Sequence, residues 1–139
     1  MTQSDRHPEG RRSYLTAAAA LTAAAAVGLG AYGAHGLHVE QSLIDIWHTA
    51  VNYQMWHALG AFAAASLAFR RAGRTRLICL LAGWLLLVGA LAFSISLYLF
   101  VINGIVPIRG AAPAGGTLMI IGWICLALAA LQRGRQPIF

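Results

Sequence analysis

Four of the five histidines lie in one short part of the chain, together with two carboxylates. His35, His38 and His48 are close in sequence to Glu40 and Asp45. Imidazole nitrogens and carboxylate oxygens are ligands that zinc and other transition metals accept. The three histidines are therefore candidate ligands of a surface metal site, but their spacing lacks the specificity of a paired Cys-x-x-Cys motif.

A second polar set follows in the segment that begins at Trp47. At about 100° per residue, one face of a helix here collects polar and aromatic side chains. These are Thr49, Asn52, Tyr53, Trp56, His57 and Gly60, and matching stripes elsewhere are Gly28, Tyr32 and His35, and Ala90, Ser94 and Tyr98. The ligand-binding candidates drawn from these stripes and from the helix edge are His35, His48, Asn52, Tyr53, His57 and Tyr98.

Several functions are compatible with this polar layer. It is a candidate cleft for a quinone or a lipid, and His35 and His48 are candidate haem ligands on facing helices. The alternative is that the polar groups only hydrogen-bond across helices, while Trp47 and Trp56 anchor the chain at the membrane interface. The sequence leaves these choices open, so it predicts no particular cofactor.

Other classes of function are disfavoured. The acidic residues Asp5, Glu9, Glu40 and Asp45 all lie outside the centres of the apolar segments. A cation-coupled multidrug exporter needs an acid embedded in the membrane. The chain also has no Ser-His-Asp order, phosphate loop or His-Glu-x-x-His motif, so we predict no catalytic residue and no enzymatic activity.

Four apolar segments must position these side chains. The chain has 139 residues, of which 59% are hydrophobic and 10% charged. A span of about 20 apolar residues crosses a bilayer as a helix. We predict an all-α membrane protein, an antiparallel bundle of four transmembrane helices in one domain over residues 14–131. The predicted helices cover residues 14–37, 44–69, 77–102 and 116–131, with tails at 1–13 and 132–139.

The arginines predict the orientation of this bundle. Nine of the ten flank the segments on one side, and only Arg109 lies on the other. By the positive-inside rule, both termini then face the cytoplasm of a bacterial inner membrane. The net charge of +6 is explained by topology and by anionic lipid, so the predicted partner is the bilayer and not nucleic acid.

Small residues recur along the first segment. Ala20, Ala24 and Gly28 are four residues apart, and so are Ala26, Gly30 and Ala34. In lipid, such stripes let helix backbones approach closely. A different feature, the connection over residues 103–116, mixes turn residues with apolar ones, so we expect it on the membrane surface or dipping into it.

Four short motifs resemble those of a known family. Residues 30–37 (Gly-Ala-Tyr-Gly-Ala-His-Gly-Leu) and the run from Trp47 to Gly60 are similar to the first two motifs of the domain-of-unknown-function 423 family, to which the eukaryotic transmembrane protein 256 group is related. Residues 93–98 and 112–116, with Gly122-Trp123, resemble the other two. The family usually has Gly where Ile95 stands and Thr where Ala112 stands.

The resemblance implies a small four-helix membrane protein of bacteria without an assigned activity. With many small-residue faces and no catalytic motif, we expect an accessory component of a larger membrane assembly, in contact with a membrane-protein partner or with further copies of itself. The alternative is a protein that binds a quinone, a lipid or a metal through the polar layer.

Overall fold

The structure is a computed structural model that describes residues 13–106 and 108–132. Four helices fill this part of the chain: α1 (Tyr14–His35), α2 (Gln41–Phe69), α3 (Gly73–Asn103) and α4 (Ala111–Leu131). The predicted all-α fold of four helices is confirmed. Of the predicted tails, residues 1–12 and 133–139 lie outside the described residues.

Three helices begin earlier than the apolar runs predict. α2 begins at Gln41, α3 at Gly73 and α4 at Ala111, where residues 44, 77 and 116 were expected. In α2 and α3 the first turns contain polar residues, which continue a helix at a membrane surface as readily as apolar ones, so hydropathy alone sets these starts too late. Pro113 fits the first turn of α4 because the N–H that proline lacks has no partner there.

Local signals explain where the helices end. The Ser13 hydroxyl caps α1 by accepting a hydrogen bond from the Thr16 N–H at 3.2 Å, which satisfies one free donor of the first turn. α3 ends directly before Gly104 and α4 begins directly after Gly110, and these two glycines have φ angles of 68° and 90°. Only glycine adopts such angles without strain. The connection expected over residues 103–116 is therefore shorter in the structure, because residues 111–116 belong to α4.

Length and composition let three of the described helices, α1, α3 and α4, cross a membrane. α2 has 29 residues, about 43 Å of helix, but it is more polar than the others. Its His48, Asn52, Gln54 and His57 side chains lower its hydropathy. α2 is also packed between α1 and α3, so protein surrounds much of it.

The helices pack in the order of the sequence. α1 packs on α2, α2 on α3 and α3 on α4, whereas the diagonal pairs touch only slightly. Over the described residues α1 and α4 make no contact. The two edge helices therefore each have one face against the bundle and a wide face turned outward.

The core between the helices is made mainly of small side chains. Ala19, Ala58, Ala61 and Ala65 pack around Leu86. Alanine lets the backbones come close, which in lipid is a main source of helix association. The predicted stripe of Ala20, Ala24 and Gly28 is not part of this core, because all three face outward.

The two ends of the bundle differ in charge. We call the end with Arg70, Arg71, Arg74 and Arg76, where α2 leads into α3, the arginine end. The opposite end, with His35, His38 and His48, is the histidine end. The two carboxylates of the described residues, Glu40 and Asp45, both lie at the histidine end.

Candidate functional site

Gln54 links three helices at the centre of the polar layer. Its side chain is 2% exposed. The amide nitrogen donates to the Thr22 carbonyl of α1 at 3.0 Å, and the amide oxygen accepts from the Tyr98 hydroxyl of α3, also at 3.0 Å. One amide thus supplies a donor to α1 and an acceptor to α3.

Two further hydrogen bonds extend this arrangement. The Trp47 indole donates to the Leu29 carbonyl of α1 at 2.8 Å, and the Ser94 hydroxyl donates to the Ala50 carbonyl of α2 at 2.8 Å. The Trp47 ring also packs against Tyr98, with ring centroids 4.5 Å apart. We refer to the side chains of Trp47, Gln54, Ser94 and Tyr98 as the polar cluster.

A glycine on α1 makes room for the indole of the polar cluster. A Cβ atom at Gly33 would lie 2.5 Å from Cδ1 and 2.7 Å from Nε1 of Trp47, far inside contact distance. Gly33 belongs to the motif of residues 30–37. Its absence of a side chain is therefore explained by the packing of Trp47, which comes from the second motif.

The polar cluster is internally complete. Within the described residues, every buried side-chain nitrogen and oxygen has a hydrogen-bond partner. A buried polar group that is already paired has no strong tendency to take up a ligand, and its bonds fix the positions of the helices. The arrangement positions α1, α2 and α3 relative to one another.

The structure does not bring the six predicted ligand residues into one site. Tyr98 is in the polar cluster, and His57 is buried on the same helix as Gln54. Tyr53 is half-buried, whereas His35, His48 and Asn52 are exposed. The face of α2 predicted to point into the bundle is therefore rotated from the face that is buried in the structure. Of the residues on the predicted face, only His57 and Gly60 are buried.

The two other predicted stripes have opposite outcomes. Ala90, Ser94 and Tyr98 are all buried, as the stripe on α3 predicts. Gly28, Tyr32 and His35 of α1 are exposed, so that stripe does not face the bundle. α1 is rich in alanine all round, and no period in its sequence marks the inward face.

His57 joins a row of aromatic rings beside the polar cluster. Its Nδ1 lies 2.7 Å from the Tyr53 carbonyl; because a carbonyl only accepts, Nδ1 donates, and Nε2 of the neutral ring is an acceptor. The ring stacks on Tyr53 at a centroid distance of 5.6 Å and meets the edge of Trp123 at 6.1 Å. Tyr53 in turn contacts Phe93, with ring centroids 4.8 Å apart.

An apolar cleft opens near this aromatic row, toward the histidine end. Its volume is about 370 Å³. It is lined by Ile46, Thr49, Phe93, Ser96, Leu97, Phe100, Val106 and Ala112. The cleft thus lies between α2 and α3 and reaches the first turn of α4, and Phe93 is shared between its wall and the contact with Tyr53.

The histidine end is open and polar. His35, His38 and His48 are exposed, and Nδ1 of His38 lies 3.1 Å from the Gly36 carbonyl. Among residues 13–106 and 108–132, no three His, Cys, Asp or Glu side chains are grouped to hold a metal ion. Metal or haem binding by these histidines stays a prediction.

Sequence reasoning missed Gln54 and the structural role of Trp47. A signal for both was present in α2. Its buried positions include Trp47, Ala50, Gln54, Ala58, Ala61, Ala65 and Ala68, at steps of three and four residues. Following these alanines as the inward face, instead of the polar residues, would have placed Gln54 at its centre.

Comparison with known proteins agrees with the motifs. The family model described as "Protein of unknown function (DUF423)" matches residues 29–116. The UPF0382 membrane protein YwdK of Bacillus subtilis is 42% identical over 81% of this chain and 92% of its own length. A UPF0382 membrane protein of Staphylococcus epidermidis is 40% identical over 81% of this chain and 91% of its own.

No solved structure is a significant match to this chain. The matched region contains the polar cluster and extends to Gly116, in the second turn of α4. The relatives are named as membrane proteins, which agrees with the long apolar helices. The chain is a multi-pass membrane protein and belongs to the DUF423 family, whose biochemical function is uncharacterised.

Proposed function

We propose that this protein is an interaction component of a larger membrane assembly and that it contacts its partner through the outward face of α1. The observation that carries the proposal is the exposed stripe of Ala20, Ala24 and Gly28. Nothing lies within 4 Å of a Cβ atom built on Gly28. Small residues on a lipid-facing surface allow a second helix to approach closely.

The interior of the bundle supports the same proposal. The polar cluster is satisfied by the protein's own groups, and its bonds hold α1 against α2. A helix that is fixed in this way presents its outer face in a defined orientation. Such a preorganised surface loses little conformational freedom when a partner binds.

Co-migration in native membranes tests the proposal. The protein is extracted from its host with a mild detergent, separated on a native gel and identified together with its neighbours by mass spectrometry. Stoichiometric co-migration with another membrane protein is the expected result. A photo-crosslinker at Ala24 should capture that partner, whereas the same group at Ala127, an exposed alanine of α4, should not. Migration only as a free monomer or homo-oligomer would remove the proposal.

The orientation belongs to the same proposal. We place the protein in the bacterial inner membrane, with both termini and the arginine end in the cytoplasm, because arginine-rich loops stay on that side. Single cysteines test this. A cysteine at Thr75 should react with a membrane-impermeant maleimide only after the cells are opened, and one at Ser42 should react in intact spheroplasts. The reverse pattern would contradict the orientation.

A hydrophobic ligand is the second candidate function, favoured by the cleft of about 370 Å³ whose wall residue Phe93 packs against Tyr53. His57 does not line the cleft and adjoins it only through its stacking on Tyr53. Among the predicted ligand residues, this geometry favours Tyr53 and His57.

The quinone and lipid content of the purified protein tests this candidate. The variant His57→Gln should lose a bound quinone or lipid, and His48→Gln, an exposed histidine on the same helix, should retain it. Equal content in both variants would remove the ligand proposal. Metal analysis of the same samples, with His35→Gln added, tests the predicted metal site.

A further inference from the structure

The arginine end contains a second cavity, between α1, α2 and α3. Its volume is about 230 Å³. The wall includes Leu15 of α1, Ala68 and Phe69 of α2, and Arg76, Leu80 and Trp84 of α3. This cavity is at the opposite end of the bundle from the cleft described above and shares no lining residue with it.

The wall changes from charged to apolar along α3. Arg76, Leu80 and Trp84 are four residues apart, so they lie on one face of the helix and span about 12 Å. Arg76 is nearest the membrane surface, because it follows the start of α3 by three residues. From the membrane surface inward, the wall is thus first charged and then apolar. This order matches a phospholipid, in which a charged headgroup is followed by an acyl chain.

The charge of this end is not balanced within the described part of the chain. Arg70, Arg71, Arg74 and Arg76 are close in sequence, and the Arg71 guanidinium donates to the Gln132 carbonyl. The described carboxylates, Glu40 and Asp45, stand at the other end of α2. Along α2, which is 29 residues long, Asp45 is about 38 Å and Glu40 about 45 Å from the nearest of these arginines.

We propose that this cavity binds an anionic phospholipid, with the phosphate against the Arg76 guanidinium and an acyl chain along Leu80 and Trp84. Guanidinium groups form charge-assisted, often bidentate hydrogen bonds with phosphate. Basic pockets between transmembrane helices bind anionic headgroups for this reason. Leu15, which is buried, and Phe69 supply apolar walls for the same chain.

Tryptophan quenching tests the proposal. The full protein is placed in phosphatidylcholine nanodiscs that contain a small fraction of phosphatidylglycerol with brominated acyl chains, and the reference contains the same fraction of brominated phosphatidylcholine. Bromine quenches a tryptophan that it contacts. We expect greater quenching by the phosphatidylglycerol, and an excess that falls about fivefold in Arg76→Gln, because one interfacial arginine contributes about that factor in affinity.

Matched variants distinguish binding of the lipid in the cavity from general electrostatic attraction of the lipid to the arginine end. Trp84→Phe should remove the excess quenching by phosphatidylglycerol. Trp56→Phe, which also removes an exposed indole, should retain it. Arg74→Gln makes the same change of charge outside the cavity wall and should also keep it. Far-ultraviolet circular dichroism verifies that each variant is folded.

Several results would overturn the lipid site. One is equal quenching by the two brominated lipids; another is an excess that survives Arg76→Gln or Trp84→Phe. Equal loss in Arg74→Gln and Arg76→Gln would assign the excess to diffuse attraction. Loss of the excess on addition of free glycerol phosphate would mean that the cavity recognises a soluble phosphate and not the lipid.

Discussion

The edge helices α1 and α4 differ both in what attaches them to the bundle and in what they turn outward. α1 is attached by hydrogen bonds, since its Thr22 and Leu29 carbonyls accept from side chains of α2. α4 is attached mainly by close packing: no described side chain between Ala111 and Leu131 hydrogen-bonds to α3, and Gln132, directly after the helix, accepts one bond from the Thr75 hydroxyl of α3 at 2.6 Å. Hydrogen bonds within the bundle therefore contribute more to the attachment of α1, and van der Waals packing contributes more to that of α4.

The contact between α3 and α4 depends on glycine. A Cβ atom on Gly89 would lie 2.7 Å from the Gly115 carbonyl oxygen, and one on Gly115 would lie 2.6 Å from that of Gly89. Further along, a Cβ atom on Gly122 would lie 2.9 Å from the Leu86 side chain. Backbone therefore meets backbone in this interface, and any side chain at these positions separates the helices.

The outward faces also differ. α4 exposes large side chains, with Ile120, Trp123 and Ile124 each more than two-fifths exposed. α1 exposes large side chains at Tyr14, Leu21, Val27 and Tyr32, but it also exposes the small residues Ala20, Ala24 and Gly28 on successive turns. Bulky residues give lipid tails a large contact area, whereas small residues favour a neighbouring helix. This difference is the basis of the proposal that α1 contacts a protein partner, whereas α4 contacts lipid.

The largest predicted effect is on the attachment of α4. Gly115→Ala places a Cβ atom against the backbone of Gly89 and should destabilise the protein by about 3 kcal/mol, the upper range for overpacking. Unfolding by sodium dodecyl sulfate from detergent micelles measures this. The adjacent Gly116 has nothing within 4 Å of its Cβ position, so Gly116→Ala should leave stability unchanged or slightly raised. Equal effects of the two variants would show that α4 is not held by this close contact.

A smaller effect is expected at the attachment of α1. Gln54→Leu leaves the Thr22 carbonyl and the Tyr98 hydroxyl without their partner and should cost about 2 kcal/mol. The same unfolding measurement applies, with Asn52→Leu as control, since Asn52 is an exposed amide on the same helix. If Gln54→Leu were as harmless as Asn52→Leu, hydrogen bonds could not be what attaches α1.

The smallest effect is expected from the Tyr98 hydroxyl. Tyr98→Phe removes one hydrogen bond and should cost about 1 kcal/mol. In the Gln54→Leu background the same change should cost less, because its partner is already absent, so a double-mutant cycle measures the coupling. Tyr32→Phe, at an exposed tyrosine, is the control. Strict additivity of Gln54→Leu and Tyr98→Phe would show that the two side chains do not act together.

The sequence predicts the helices better than it predicts their orientation. Apolar runs identify all four helices, but not the polar first turns at Gln41 and Gly73. The buried stripe of Ala90, Ser94 and Tyr98 is predicted, because small and polar residues recur there every four residues of an otherwise apolar helix. In α1, alanine on every side obscures the inward face, which contains Thr22 and Ala26. Of the small-residue stripe that includes Ala26, Gly30 is half-buried and Ala34 is exposed.

Part of the candidate site also could not be predicted from the sequence. Tyr98 and His57 are buried as polar candidates should be, yet Gln54 is the residue that joins the helices. Its role depends on two partners that are 32 and 44 residues away, and no local pattern specifies such a distance.

The most direct test of the account compares Ala24→Leu with Ala127→Leu in native membranes. Both variants add the same side chain to an exposed alanine of an edge helix, and neither should change the unfolding transition of the isolated protein. On a native gel of a mild-detergent extract, we predict that wild type and Ala127→Leu co-migrate with the partner and that Ala24→Leu migrates alone. Co-migration of Ala24→Leu at the wild-type level would contradict the assignment of α1 as the protein-facing edge.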